Sequence, residues 1–132
     1  MTLCFAHIAD CHVGSWRDPT MRALNMQYFS DVIDAIIAEK VDVLLVAGDL
    51  FNTAMPSVDA LKLVTEKFKE VHDAGIKILG VSGSHDYSAT GKSMLEVLEK
   101  AGLFTNVLQG SVDEHGTLSL TPTVYKGYNF VG

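Results

Sequence analysis

The chain has 132 residues, of which 48% are hydrophobic and 20% are charged, and this composition is typical of one globular domain. Its longest apolar runs, such as residues 43–47, are far shorter than the roughly 20 residues that a membrane-spanning helix needs, so we expect no membrane association. The net charge of −6 argues against broad electrostatic attraction to nucleic acid, because binding along phosphates normally relies on clustered Lys and Arg side chains.

The N-terminal segment has no basic region followed by a sustained apolar run, so it is not a secretory signal and we expect a cytoplasmic protein. Cys4 and Cys11 lie on one short segment whose extended geometry would hold them beyond the roughly 4.4–6.8 Å Cα separation that a disulfide needs. We therefore expect both thiols to be reduced, as in a reducing compartment.

Strands and helices are predicted to alternate along most of the chain. Short apolar runs indicate buried strands, and apolar residues at helical spacing indicate amphipathic helices. Strands are predicted over residues 3–9, 41–47 and 76–81, and helices over 20–40, from Ser57 to Gly75, and from about Thr90 to Gly102. Short β-like runs follow over 117–120 and 124–131, with a hairpin turn at 113–116.

The resulting β-α-β-α-β-α order favours the α/β class, with a parallel sheet, right-handed crossovers and helices packed on the sheet. The short strands or hairpin would follow this unit. In such a sheet the ends of successive strands gather along one edge, where ligands bind. Because the sequence has no linker, repeat or low-complexity stretch, we place residues 1–132 in one domain.

Polar residues follow each of the three predicted strands and should therefore meet at that edge. Residues two apart in an extended backbone point the same way, so the Asp10 carboxylate and the His12 imidazole could hold one ion. Asp49 has two oxygens and could bridge to a second ion, as in metal pairs about 3.5–4 Å apart that displace phosphoesters in line. Gly48 and Gly83 fit turns where the backbone approaches ions or substrate closely. The polar residues are Asp10 and His12 after the first strand, Asp49 after the second, and Ser84, His85 and Asp86 after the third.

These motifs carry a family resemblance. Asp-x-His at residues 10–12, Gly-Asp at 48–49 and Gly-Ser-His-Asp at 83–86 resemble the first three motifs of calcineurin-like metallophosphoesterases. Gly-Asp-Leu-Phe at 48–51 and the spacing between motifs are more specifically similar to the SbcD-type double-strand-break repair nucleases. The resemblance covers about residues 3–107 and implies half of a metallophosphoesterase sandwich.

The resemblance implies a two-metal hydrolytic site. Asp10 and His12 would bind the first metal, Asp49 would bridge, and Ser84 would contribute to the second metal. The resemblance implies manganese, although mixed His and carboxylate ligands would also accept zinc or iron. His85 would stabilise the transition state or protonate the leaving oxygen.

The resemblance implies that Asp86 holds its loop rather than binding metal. The sequence departs from the family pattern at several positions. Ser84 replaces the usual Asn and offers a shorter oxygen donor, so the second metal should be held weakly or through water. Asn52 stands where many of the repair nucleases carry a second active-site His. The family completes its site with a lone His and a Gly-His-x-His motif, whereas His115 is the only His after His85 and lacks that motif.

We therefore expect residues 1–132 to be a partial metallophosphoesterase domain, truncated before the C-terminal histidine motifs and inactive alone. The leading hypothesis is metal-dependent DNA phosphodiester hydrolysis in double-strand-break repair. The alternatives are a small-molecule phosphoesterase of the same superfamily and a non-catalytic dimerisation or scaffold fragment that binds at most one metal.

The resemblance also implies partners. These are DNA, an SMC-like ABC-type ATPase subunit, and a second copy of the chain paired through helices equivalent to residues 58–71 and 94–98. An apolar patch covered in the dimer would include Met55, Leu61, Met94 and Leu98.

Overall fold

The computed structural model describes residues 2–132 and places four parallel strands in one sheet, in the order β1-β2-β3-β4. Each pair of neighbouring strands is parallel, and helices connect them. The α/β class expected from the sequence is therefore confirmed. In chain order the elements of this unit are β1 (Phe5–Ile8), α1 (Pro19–Ala38), β2 (Val43–Ala47), α2 (Val58–Asp73), β3 (Lys77–Val81), α3 (Met94–Lys100) and β4 (Thr105–Asn106).

The helices begin and end where the sequence supplies capping residues. The side chains of Asp18, Ser57 and Ser93 accept hydrogen bonds from the first backbone N–H groups of α1, α2 and α3. Gly75 and Gly102 follow the C-caps of α2 and α3 with φ of 80° and 77°, a conformation that glycine adopts without steric cost. None of the helices within residues 2–132 is long and apolar enough to cross a membrane.

The third helix is shorter than the sequence predicts, since α3 begins at Met94 and not near Thr90. The segment before it folds into a turn in which the Ser88 N–H donates to the Lys92 carbonyl and Gly91 has a φ of 74°. Ser93 then provides the cap. On this short helix Leu98 is only 2% exposed, so the expectation that Leu98 belongs to an exposed apolar patch is wrong.

The core lies between the helices and one face of the sheet. Alternate strand residues point to opposite faces of the sheet. On one face, Leu44 and Val46 of β2 pack in one cluster with helix residues that include Ile33 of α1 and Phe68 of α2. The other face carries a smaller cluster of three buried residues with partly buried neighbours from the C-terminal strands. The buried members of this second cluster are Val43, Leu79 and Val107.

Two antiparallel hairpins follow the parallel sheet. β5 (Gly110–Val112) and β6 (Leu118–Leu120) flank the turn that the sequence predicts at residues 113–116. The predicted continuous run over 124–131 is wrong, because it is two strands, β7 (Thr123–Tyr125) and β8 (Tyr128–Phe130), joined by a turn. Lys126 and Gly127 in this turn have φ of 48° and 80°, as the tight turns favoured in β-hairpins require.

Candidate metal centre

The loops that follow β1 and β2 are joined by backbone hydrogen bonds. The N–H groups of Asp10 and His12 donate to the carbonyls of Gly48 and Asp49, at 3.1 and 3.0 Å. These bonds continue the parallel pairing of β1 with β2 past the ends of the strands. The first two sequence motifs are thereby fixed side by side at the carboxyl edge of the sheet.

The backbone of these loops is left-handed at three non-glycine residues. Asp10, His12 and Asp49 have φ of 52°, 44° and 51°. The interpretation that Asp10 and His12 share one side because the backbone is extended is therefore wrong, since a left-handed turn positions them. Asp and His tolerate this region better than most residues, yet each instance costs on the order of 1–3 kcal/mol, which the surrounding hydrogen bonds must offset.

Four of the predicted site residues converge on one spot. His12 Nε2 lies 3.9 Å from Asp10 Oδ1 and 3.8 Å from Asp49 Oδ2. Ligand atoms of His12, Asp49 and His85 all lie within 4.8 Å of one another, with Asp10 outside this tighter group. The rings of His12 and His85 meet edge to face, with centroids 4.8 Å apart. Ser84 precedes His85 on the same loop and is exposed.

The chemistry of these donors fits a divalent cation. Imidazole nitrogens and carboxylate oxygens together suit first-row metals such as manganese, iron and zinc. Within residues 2–132, His12 Nδ1 is the only buried side-chain nitrogen or oxygen that has no hydrogen-bond partner. Buried polar atoms without a partner are uncommon in native proteins, and a bound water or ion is one explanation for them. The other ring nitrogen, Nε2, faces the carboxylates of Asp10 and Asp49, which is the arrangement that a shared cation needs.

The third loop is held against the second by Asp86, which is only 1% exposed. Its carboxylate accepts backbone N–H groups from Gly83 at 2.9 Å, Leu50 at 3.2 Å and Phe51 at 2.9 Å. A buried carboxylate requires such partners, because removing its charge from water is otherwise expensive. Asp86 thus fixes the spacing of the loops that carry Asp49 and His85.

Two glycines allow these loops to touch. A Cβ at Gly83 would overlap the Asp49 side chain and its backbone N–H. A Cβ at Gly48 would lie 3.1 Å from the Gly83 Cα, and Gly48 also has a φ of 84°. The close approach lets the His85 N–H donate to Asp49 Oδ1 at 2.9 Å, which orients the Asp49 carboxylate with Oδ2 towards His12.

The His85 ring is oriented by the backbone of the second loop. Its Nδ1 lies 3.0 Å from the Asn52 carbonyl oxygen. A carbonyl can only accept, so Nδ1 carries a hydrogen and donates it. Nε2 is then the ring nitrogen available for proton transfer or metal binding. Asn52 therefore acts here through its main chain.

Asn25 on α1 is a residue of the site region that the sequence did not reveal. Its side-chain Nδ2 donates to the Cys11 carbonyl at 3.2 Å, and its Oδ1 accepts the Gly14 N–H at 3.0 Å. These bonds fasten the first loop to α1. In the sequence Asn25 is one polar residue within a helical segment, and no motif distinguishes it.

Both cysteines are free, as the sequence predicts. Cys11 is partly buried against the main core cluster. Burial, followed by the negative charges of Asp10 and Asp86, raises the pKa of the Cys11 thiol to about 11. A thiol with a raised pKa is mostly protonated near neutral pH, which makes it a poor nucleophile.

Comparison with known proteins identifies the family. The calcineurin-like phosphoesterase family matches residues 4–130, which is nearly the whole chain. The chain belongs to this family. The resemblance that the three motifs carry is thereby confirmed, and the fold is that of part of a metallophosphoesterase. A calcineurin-like phosphoesterase uses divalent metal to hydrolyse phosphate esters, which agrees with the donor set at the sheet edge.

Relatives of this chain include double-strand break repair proteins. It is 34% identical over 102 residues to the DNA double-strand break repair protein Mre11 of Methanopyrus kandleri, covering 74% of this chain and 23% of that protein. The Mre11 protein of Methanocaldococcus jannaschii is 36% identical over 87 residues, covering 64% and 24%. An uncharacterized metallophosphoesterase, YhaO of Bacillus subtilis, is 29% identical over 116 residues, covering 80% and 28%. The chain thus spans about a quarter of the length of these relatives.

Proposed function

We propose that this chain is part of a metal-dependent DNA phosphodiesterase that acts in double-strand-break repair. The observation that carries the proposal is the convergence of His12, Asp49 and His85 within 4.8 Å. Several relatives of the chain are named as double-strand break repair proteins, which favours DNA as substrate. On this proposal, residues 1–132 form part of a larger nuclease domain, and the reduced cysteines fit a cytoplasmic location.

Asp10, His12 and Asp49 would hold the first cation, proposed to be manganese, and Ser84 would contribute to a second. When bound, two such cations would lower the pKa of a bound water and would stabilise developing charge on the phosphoryl group. Metal charge at the phosphate would also offset the net charge of −6, which by itself repels DNA. Asp49 is suited to a bridging role, because its Oδ1 is oriented by the His85 N–H while its Oδ2 stays near His12.

His85 would protonate the leaving oxygen. Its Nδ1 donates to the Asn52 carbonyl, so the opposite nitrogen, Nε2, can hold and deliver the proton. A ligand role for His85 is the competing assignment, because the same ring lies in the cluster. The two assignments differ in what removing the ring does to metal affinity.

Calorimetric titration with Mn²⁺ tests the site. We expect at most one well-occupied manganese position in the 132-residue chain, with affinity lowered at least about tenfold by His12→Ala and by Asp49→Asn. His85→Ala should leave the affinity within about twofold if His85 is the acid, and lower it about tenfold if it is a ligand. His115→Ala is the matched control, because that imidazole is 80% exposed and belongs to a hairpin turn.

Metal-dependent DNA binding separates this function from its rivals. The anisotropy of a labelled oligonucleotide should rise with Mn²⁺ and not with EDTA, and the rise should disappear in Asp49→Asn.

The chain alone should leave DNA largely intact, since a weak second metal position removes a contribution worth orders of magnitude in rate. Ser84→Asn alone should not restore hydrolysis. Displacement of the oligonucleotide by a small phosphate ester would favour the small-molecule phosphoesterase, and an absence of metal binding would favour the scaffold.

Self-association is proposed through the groove between residues 54–55 and α3. Met55 and Val97 are 74% and 57% exposed, and the groove has a volume of about 570 Å³. An exposed apolar surface of this kind favours a symmetric partner. Sedimentation should show a dimer that Met55→Glu weakens and that Val112→Glu, on the exposed β5, leaves intact. An SMC-like ABC-type ATPase subunit is proposed as the further partner on family grounds.

A further inference from the structure

We infer that Trp16 is a stacking platform for an unpaired nucleobase beside the metal centre. The inference rests on the proposed function and narrows its substrate to DNA in which the base next to the reacting phosphate is not stacked in a duplex. Trp16 lines the same open cavity of about 480 Å³ as Asp10, His12 and Asn52. The large aromatic ring is 57% exposed at this position and belongs to neither core cluster.

The backbone presents Trp16 at the cavity in a conformation that a large residue rarely adopts. Its φ is 76°, in the left-handed region, and a bulky side chain there indicates either strain or function. Arg22 holds the segment, because its Nε and Nη2 both donate to the Trp16 carbonyl, at 3.0 and 2.8 Å. The preceding residue is tied to the first metal loop, since the Ser15 N–H donates to the His12 carbonyl at 3.0 Å. The backbone that carries Trp16 is therefore joined to the turn that carries His12.

The exposed indole lies in the same cleft as the candidate metal ligands, where a DNA phosphate would bind, so a nucleobase next to that phosphate could stack on it. Stacking of bases on aromatic side chains is strong and tolerates any sequence, because every base has a π face. Within a duplex both faces of a base are covered by its neighbours, so only an unpaired or terminal base can stack on Trp16. Stacking also needs no positive charge, which suits a chain with a net charge of −6.

The chain carries its own probe for this contact, because Trp16 is its single tryptophan. With Mn²⁺ present, a short oligothymidylate should quench the intrinsic emission, whereas an abasic oligonucleotide of the same length should not. Anisotropy with labelled strands should show oligothymidylate bound about tenfold more tightly than the abasic strand. Quenching by thymidine 5′-monophosphate would also support stacking and would show that a free nucleotide can supply the base.

Substitutions then assign the difference to the ring. Trp16→Leu should lower the affinity for oligothymidylate about tenfold, to the level of the abasic strand, and Trp16→Phe should retain most of it. Phe5→Leu is the matched control, because Phe5 is 56% exposed but lies on β1 outside this cavity. Calorimetry should give all three variants the manganese affinity of the unchanged chain.

Equal affinity of the two strands without a change in emission would overturn the stacking inference and leave the nuclease proposal in place. The same conclusion would follow if Trp16→Leu bound oligothymidylate as well as the unchanged chain does. Failure of every strand to bind, with manganese bound normally, would overturn both. Because the emission titration uses the unchanged chain, a folding defect in a variant cannot hide the outcome.

Discussion

The loops at the carboxyl edge of the sheet and the hairpins over residues 110–130 differ in what holds their turns. At the edge, left-handed backbone falls on Asp10 and Asp49, and a buried carboxylate, Asp86, accepts three backbone N–H groups. In the hairpins, the left-handed positions are Gly116, Gly127 and the lysine Lys126, and the strands are mostly exposed. The difference shows that costly backbone and buried polar bonds are concentrated where ligand donors must be aimed, and that ordinary turn chemistry suffices elsewhere.

The largest expected effect comes from removing the carboxylate that joins the loops. Asp86→Ala leaves backbone N–H groups of the buried Leu50 and Phe51 without an acceptor, so we expect unfolding free energy to fall by about 3–5 kcal/mol. Urea denaturation of the variant and of the unchanged chain measures this difference in unfolding free energy. Asp113→Ala is the counterpart in the hairpins, where one carboxylate oxygen accepts the N–H groups of His115 and Thr117, both at 2.8 Å. Asp113 is solvated, so its loss should be too small to resolve, and equal effects of the two substitutions would break the comparison.

An intermediate effect is expected at the glycines. Gly83→Ala places a methyl group against the Asp49 carboxylate, so Mn²⁺ affinity should fall at least about tenfold. Gly116→Ala meets no atom within 4 Å but keeps a φ of 79°, so it should cost only about 1–2 kcal/mol of stability. Its manganese affinity should equal that of the unchanged chain. A calorimetric result in which Gly83→Ala binds normally would show that the loops can separate without loss of the site.

The smallest expected effect concerns the ion pair that fastens the second hairpin to the sheet. The Cys4 N–H and then the Lys126 ammonium hold the pKa of Asp42 below its ordinary value of 3.8. A lowered carboxyl pKa means that the stabilisation is complete above that ordinary value and is lost as pH falls through the folded-state pKa. The amide chemical shifts of β7 and β8, measured by NMR during an acid titration, should therefore change as the hairpin loosens from the sheet. Lys126→Gln should produce the same local change near neutral pH, while Lys69→Gln, which breaks a surface pair on α2, should not.

The sequence by itself determined the elements and the family. Apolar periodicity and the caps at Ser57 and Gly75 set the helices and strands through interactions a few residues apart, which are visible in the chain. The three motifs identified the family because they follow strands that a parallel sheet must bring to one edge. Even there, the start of α3 and the turn at Lys126 were missed, since short elements have little periodicity to detect.

Only the tertiary structure decided how the donors are aimed. Asp86 reaches the N–H of Leu50 across 36 residues, and Asn25 reaches the first loop from α1 across 11 and 14 residues. The same packing buries Leu98 and leaves Trp16 exposed beside the candidate ligands. Contacts of this kind depend on which faces of distant elements meet, and that relation is set by the whole packed core rather than by any local pattern of residues.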